Sequence, residues 1–400
     1  MSSHSAAGLL RSRALLGTLV VQGLGSAATL LVGLLIAWFQ GPEAQGHYGV
    51  LRATADLCLA IGLLGLPQSI VHLIQYEGVR PAALYACLRR YSLALLVLAV
   101  VLASSIYFGW MPARVSSSIQ GSVAALAMAI TVLGWIVQGM LRSFVLCLGS
   151  TRAFSWVTAA PSLTLLCCAM ALMAAGSQRY EWALAGSGLL SVAWGTLAVR
   201  PLQAMVRWRE GGDVRISSFV DAGGHAAVQV VMVTAQPFIA LWFMQRGEAT
   251  AAEIGWLVLA GYIQQAFVLP TSFAMPLVYA RASNARGMET VTNLWRGIWV
   301  VGPFACVCAM AAAVVLPSLL TTIAKGAYAG ALHACLWLVA AGPAAMMGRL
   351  AAVMLLGQGR FSLVSTSYSL RVAAMTILIP AWMWLGASGI AAGAAAGWAI

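Results

Sequence analysis

GVLRATADLCLAIGLLGLPQSIVHLI, residues 49–74, is the stretch whose reading decides the fold. It is long and apolar enough to cross a hydrocarbon core of roughly 30 Å, which takes about 20 helical residues. Yet Arg52 and Asp56 stand near its start. Four residues apart, they share one face of a helix, where they either pair with each other or line an aqueous cavity.

The rest of the chain has the same character. Of its 400 residues 62% are hydrophobic and only 8% charged, and the mean hydropathy is +0.90. A soluble domain needs about 25% charged residues to cover its surface, so the composition implies an integral membrane protein. The apolar runs are far longer than the ten or so residues of a barrel strand, so the spans are helices. The first run continues to about Trp38 without a small-residue cleavage site, which predicts a retained first span rather than a signal peptide. The net charge of +12 does not point to nucleic acid, because the arginines are scattered singly between apolar runs. The eight cysteines show no partner at zinc-ligand spacing and read as small packing residues.

Breaks at Pro, Gly and charge clusters give about twelve predicted spans: 14–38, 47–74, 84–110, 119–148, 154–176, 181–199, 220–244, 254–280, 297–320, 329–356, 361–384 and 387 to the end. Alternating the loops puts fourteen of the 22 Lys and Arg residues on one side. Only Arg114, Arg179, Arg246 and Lys325 fall on the other. This asymmetry places the amino terminus in the cytoplasm. The last span is short, about fourteen residues or ~21 Å at 1.5 Å each.

The polar interval RPLQAMVRWREGGDVRISSF, residues 200–219, divides the spans six and six. The expected lobes are residues 1–205 and 206–400. Their sequences echo each other: AWFQGPEA (37–44) precedes Tyr48-Gly49, and LWFMQRGEA (241–249) precedes Ile254-Gly255. Repeated halves of this kind accompany alternating access in transporters.

Several polar residues fall within the spans. Asp221, His225, Gln229 and Gln236 lie within an arc of ~80° at about 100° per residue, and Thr18, Gln22, Ser26 and Thr29 make a comparable stripe on the first span. For Thr18, Ser26 and Thr29 the simpler reading is helix-to-helix hydrogen bonding. Asp221 and His225 are candidates for ion coupling, since a carboxylate and an imidazole exchange protons near neutral pH; Asp56 is another. Arg142 and Arg349 lie close enough to a span end to snorkel, whereas Arg371 lies deeper, after the polar run SLVSTSYS (362–369). A guanidinium inside a cavity offers a fork of donors that suits phosphate oxygens. The basic excess among these charges predicts an anionic cargo. No enzyme motif is present: there is no GxSxG elbow, no HExxH and no Walker-type loop.

The stretch FQGPEAQGHYGVLRATADLCLAIGLLGLPQSIVHLIQYEG, residues 39–78, resembles the early region of polysaccharide and O-antigen-type (Wzx-like) flippases of the multidrug/oligosaccharidyl-lipid/polysaccharide exporter superfamily, which also holds the MATE transporters. The resemblance rests on Gly41-Pro42, Gly46, Tyr48-Gly49 and Gly65-Leu66-Pro67 with Ile70-Val71. The runs IGWLVLAGYIQQAFVLPTSFAMPLVYA, VVLPSLLTTIAKGAY and IPAWMWLGASGIAAGAAAG support it in the second half.

The resemblance implies an all-α polytopic membrane protein with two six-helix, MATE-like lobes around a central cavity. It also implies alternating access that moves an undecaprenyl-diphosphate-linked oligosaccharide across a bacterial inner membrane for surface polysaccharide synthesis. Arg52, Arg349, Arg371, Gln22, Gln229 and Gln236 are then the substrate-binding candidates, and Asp56, Asp221 and His225 the ion-coupling candidates. No cofactor or metal is expected beyond proton or sodium coupling. The expected partners are the lipid-linked oligosaccharide, membrane lipids, and polysaccharide polymerase or assembly proteins. Two alternatives stand beside this reading: a cation-coupled drug or metabolite exporter of MATE type, and a polytopic polysaccharide polymerase or ligase.

Overall fold

The computed structural model describes residues 3–75, 77–85, 87–88, 97, 100–101, 122–148, 151–177, 179–203, 216–284 and 288–398. Among them there is no strand, as expected of a chain that must satisfy its backbone groups internally in lipid. The helices are α1 (Ser3–Leu63), α2 (Leu66–Gln75), α3 (Ser122–Leu148), α4 (Thr151–Ala174), α5 (Tyr180–Gln203) and α6 (Ile216–Arg246). They continue with α7 (Ala251–Asn284), α8 (Met288–Thr322), α9 (Leu332–Ala340), α10 (Gly342–Gly357), α11 (Phe361–Trp382) and α12 (Gly386–Ala396).

Nine helical stretches among the described residues are long and apolar enough to cross a membrane. Two of them, Val20–Ile74 and Phe361–Ala396, each cover most of two predicted spans. The third predicted span, 84–110, lies largely outside the described residues, as does most of the basic interval between α5 and α6. Large apolar side chains stand open along the outer helix faces: Trp299, Phe304 and Val314 on α8, Ile377 on α11, and Trp384 beside it. Such surface suits hydrocarbon rather than water.

The breaks between spans have local causes. Within α1 the backbone departs from helical geometry at Gly41, whose φ of 82° belongs to the left-handed region that glycine tolerates. Pro42 then opens the second arm of α1, where its missing N–H costs nothing. At the corresponding place in the second half, Glu248 takes a positive φ of 60° and Thr250 caps the start of α7. The Glu253 N–H donates to Thr250 Oγ1 at 3.2 Å and the Thr250 N–H donates to Glu253 Oε2 at 2.8 Å, a reciprocal capping box.

The chain forms two compact units, and α1 and α6 each contribute to both. One unit takes the described residues up to Thr29 and then those from Cys58 to Ala227. In it the Gln138 Nε2 donates to the Val157 carbonyl at 2.6 Å, and Thr29 Oγ1 donates to Ser162 Oγ at 2.9 Å. The second bond fits the helix-to-helix reading of Thr29. Ile70, Leu73, Leu84 and Phe144 form an apolar cluster there.

The other unit holds Leu30–Leu57 and the chain from Val228 onward. Its core brings Ala37, Val50 and Ala53 of α1 together with Met244 of α6, Ile254 and Leu257 of α7, Leu320 of α8, Cys335 and Leu338 of α9, and Ile379 and Ile390 of the last two helices. Since lipid is as apolar as leucine, close approach of small residues rather than hydrophobic exclusion holds such helices together.

Candidate functional site

Two groups of polar side chains lie inside the second unit. The first is on the second arm of α1. Arg52 Nε donates to Asp56 Oδ2 at 2.8 Å, with the two side chains 21% and 31% exposed. One turn earlier, Tyr48 is fully buried. Its hydroxyl interacts with Arg52 and with Tyr262 of α7. The pair thus sits where α1 packs on α7, one helix turn from the meeting of two tyrosines.

Glycine permits that packing. A methyl at Gly46 would collide with the Ala251 carbonyl oxygen, and a methyl at Gly255 would collide with that of Pro42. These glycines belong to the echoing segments of the two sequence halves, so corresponding parts of the repeat touch each other here. Close by, Tyr328 donates its hydroxyl to Gln45 Oε1 at 2.8 Å. Burial raises the Tyr328 phenol above its ordinary value, so it stays a protonated donor. Gln45 Nε2 is buried without a hydrogen-bond partner among the described residues, and so is Gln236 Nε2.

The second group lies on α10, α11 and the turn after α12. Arg371 is 7% exposed, and its guanidinium lies over the indole of Trp398. Its Nε and Nη2 are buried and have no hydrogen-bond partner among the described residues. Tyr368, three residues earlier on the same helix face, interacts electrostatically with both Arg371 and Arg349 of α10. Ser365 and Ser369, close to Tyr368 on α11, turn their hydroxyls onto backbone carbonyls of their own helix. No Asp or Glu occurs from Thr290 to Ile400, so these helices offer the arginines no carboxylate.

The structure therefore pairs Arg52 with Asp56, and places Arg349, Tyr368 and Arg371 within electrostatic reach of one another. Gln229 is half-buried and Gln236 8% exposed, both on α6 in the second unit. Gln22 is half-buried and His225 exposed, both in the first unit. Asp221 belongs to α6, and its side chain lies outside the described residues. Arg142, half-buried on α3, has no ion pair among the described residues. Among those residues no cluster of three or more His, Cys, Asp or Glu side chains could hold a metal ion.

Tyr48, Tyr262, Tyr368 and Trp398 are the participants that sequence reasoning missed. Tyr48 and Tyr368 were within its reach, because each stands one turn before an arginine on the same helix. Tyr262 and Trp398 come from other helices, and no spacing announces them.

No family model matches the chain, and no curated protein matches it. Solved structures do. A lipid II flippase, MurJ, in an inward closed conformation has a TM-score of 0.72 at 12% identity, covering 95% of this chain and 84% of that one. An inward-facing multidrug resistance MATE transporter of the MOP superfamily gives 0.65 at 15% identity, covering 95% and 91%. The Vibrio cholerae MATE transporter VcmN, as a mutant, gives 0.63 at 16%, covering 96% and 93%. At these identities the likeness establishes the fold: a multi-pass helical membrane protein built as these transporters are.

Proposed function

We propose that the chain is a flippase that moves an amphiphile with an anionic head, specifically an undecaprenyl-diphosphate-linked oligosaccharide, across a bacterial inner membrane by alternating access. The observation that carries this reading is the imbalance of charge inside the spans. Four guanidiniums stand inside them away from their ends, those of Arg52, Arg142, Arg349 and Arg371, and of these only Arg52 has a carboxylate partner among the described residues. An intramembrane charge costs several kcal/mol unless something pairs with it. A cargo that carries negative charge supplies that pairing, whereas a cationic cargo adds to the repulsion. The likeness to a lipid II flippase over 95% of the chain is consistent with such a cargo.

A second reading, a cation-coupled exporter of drugs or metabolites, draws on the equally extensive likeness to MATE transporters. It needs an available carboxylate for organic cations, and Asp56 is engaged by Arg52. Reconstitution separates the two. Purified protein in proteoliposomes is expected to translocate a fluorescent polyprenyl-diphosphate oligosaccharide and to leave a cationic dye gradient unchanged. The reverse pattern favours the exporter.

A further inference from the structure

Arg371 lies about 15 Å along α11 from its start, at 1.5 Å per residue. Its guanidinium carbon lies over the Trp398 indole, an attraction that compensates the charge only in part. The two nitrogens left without partners, Nε and Nη2, share one edge of the guanidinium. That edge donates two parallel hydrogen bonds to two oxygens of a single phosphate or carboxylate. Buried donors with no acceptor are costly, and a purely structural role here is served better by an apolar side chain of similar volume.

The surroundings narrow the ligand. Arg349 brings a second positive charge and Tyr368 a hydroxyl donor, with no Asp or Glu on α10, α11 or α12 to compete. Two cations and a neutral donor suit a group carrying more than one negative charge, which favours phosphate over carboxylate. Leu363, Leu370 and Ile377 stand exposed along the same helix, so hydrocarbon accompanies the head group.

We propose that Arg349, Tyr368 and Arg371 form a phosphate-binding site for the head group of an amphiphile, with the Nε–Nη2 edge of Arg371 gripping two phosphate oxygens. The phosphate belongs either to a membrane phospholipid or to the diphosphate cargo. The site rests on the flippase reading for the kind of molecule that reaches it and deepens that reading to one set of residues.

The test uses the full chain in neutral detergent, with thermal unfolding and binding followed on addition of farnesyl diphosphate, a short-chain phosphatidic acid, inorganic pyrophosphate, or farnesol as the uncharged control. Wild-type protein is expected to be stabilised by the phosphate amphiphiles and not by farnesol. R371K keeps the charge but loses the fork, and is expected to weaken binding at least tenfold; R349Q weakens it several-fold. R371M is expected to abolish the response while its ligand-free Tm equals or exceeds that of wild type. R371K preserves the test should R371M fail to accumulate.

A stronger effect of phosphatidic acid assigns the site to a resident lipid, and a stronger effect of farnesyl diphosphate assigns it to the cargo. Pyrophosphate acting as strongly as either supports a phosphate site but assigns it to a soluble ion. Unchanged affinity in both R371K and R349Q overturns the site, even where wild-type protein translocates lipid-linked oligosaccharide. So does a lowered ligand-free Tm of R371M with a wild-type response. Absence of binding by any phosphate probe to wild-type protein overturns the site, and failed translocation in proteoliposomes separately overturns the flippase reading.

Discussion

Arg52 Nε and Asp56 Oδ2 lie 2.8 Å apart across one turn of α1, and this bond makes Arg52 the one intramembrane guanidinium with a carboxylate partner among the described residues. Removing one member of a shielded pair leaves the other charge uncompensated, which costs 3–5 kcal/mol when fully buried. Both side chains here keep some exposure, so Asp56→Asn is expected to cost about 1–2 kcal/mol. The double variant Arg52→Met with Asp56→Leu is expected to recover most of that. Thermal unfolding of the purified protein measures both, and a double variant less stable than Asp56→Asn contradicts the account.

Much of this fold was legible in the sequence, because a bilayer imposes long apolar helices and the chain has little charge with which to do anything else. The interruption at Gly41-Pro42 and its counterpart near Gly247 were visible as an echo between the halves, and the structure bends or breaks its helices at both. Which helices pack together was not visible. The pairing of Arg52 with Asp56 follows from spacing on one helix, but Tyr262 lies on α7 and Trp398 lies beyond α12. A hydropathy pattern identifies spans without saying which neighbour each one meets. The unpartnered edge of Arg371 needed coordinates, since sequence places an arginine in a span but does not say which of its nitrogens are satisfied.

The contact between the echoing segments predicts an unequal response to small substitutions. Gly255→Ala puts a methyl against the Pro42 carbonyl oxygen, and backbone on both sides leaves no room to give way. Its cost is expected to be about 2 kcal/mol or more. Gly261→Ala, two turns on along α7, meets nothing within 4 Å and is expected to be neutral or slightly stabilising. Expression and Tm of the two variants, compared side by side, check the asymmetry.

Tyr328 and Gln45 are buried and joined by a single hydrogen bond. Tyr328→Phe keeps the ring and leaves the Gln45 amide with both ends unsatisfied. A loss of about 1–2 kcal/mol is expected. The companion variant Gln45→Leu with Tyr328→Phe removes the stranded amide and is expected to lose less, which a double-mutant cycle on unfolding reads directly.

Ion coupling is proposed to run through the carboxylates of α1 and α6, Asp56 and Asp221, with His225 one turn beyond Asp221. The variant carrying both Asp56→Asn and Asp221→Asn is then expected to lose the dependence of transport on an imposed proton or sodium gradient, while binding of cargo persists. Polysaccharide export that continues undiminished in cells carrying this variant contradicts the coupling assignment.

The most direct test of the central claim is translocation by the purified chain in proteoliposomes, using a fluorescent polyprenyl-diphosphate oligosaccharide whose outer-leaflet fraction is quenched by dithionite. The account predicts that this fraction changes with time in liposomes containing wild-type protein, and that the rate falls at least tenfold when Arg349 and Arg371 are both replaced by Gln. Rates equal to those of protein-free liposomes, or accelerated movement of a cationic dye in place of the lipid, would contradict it.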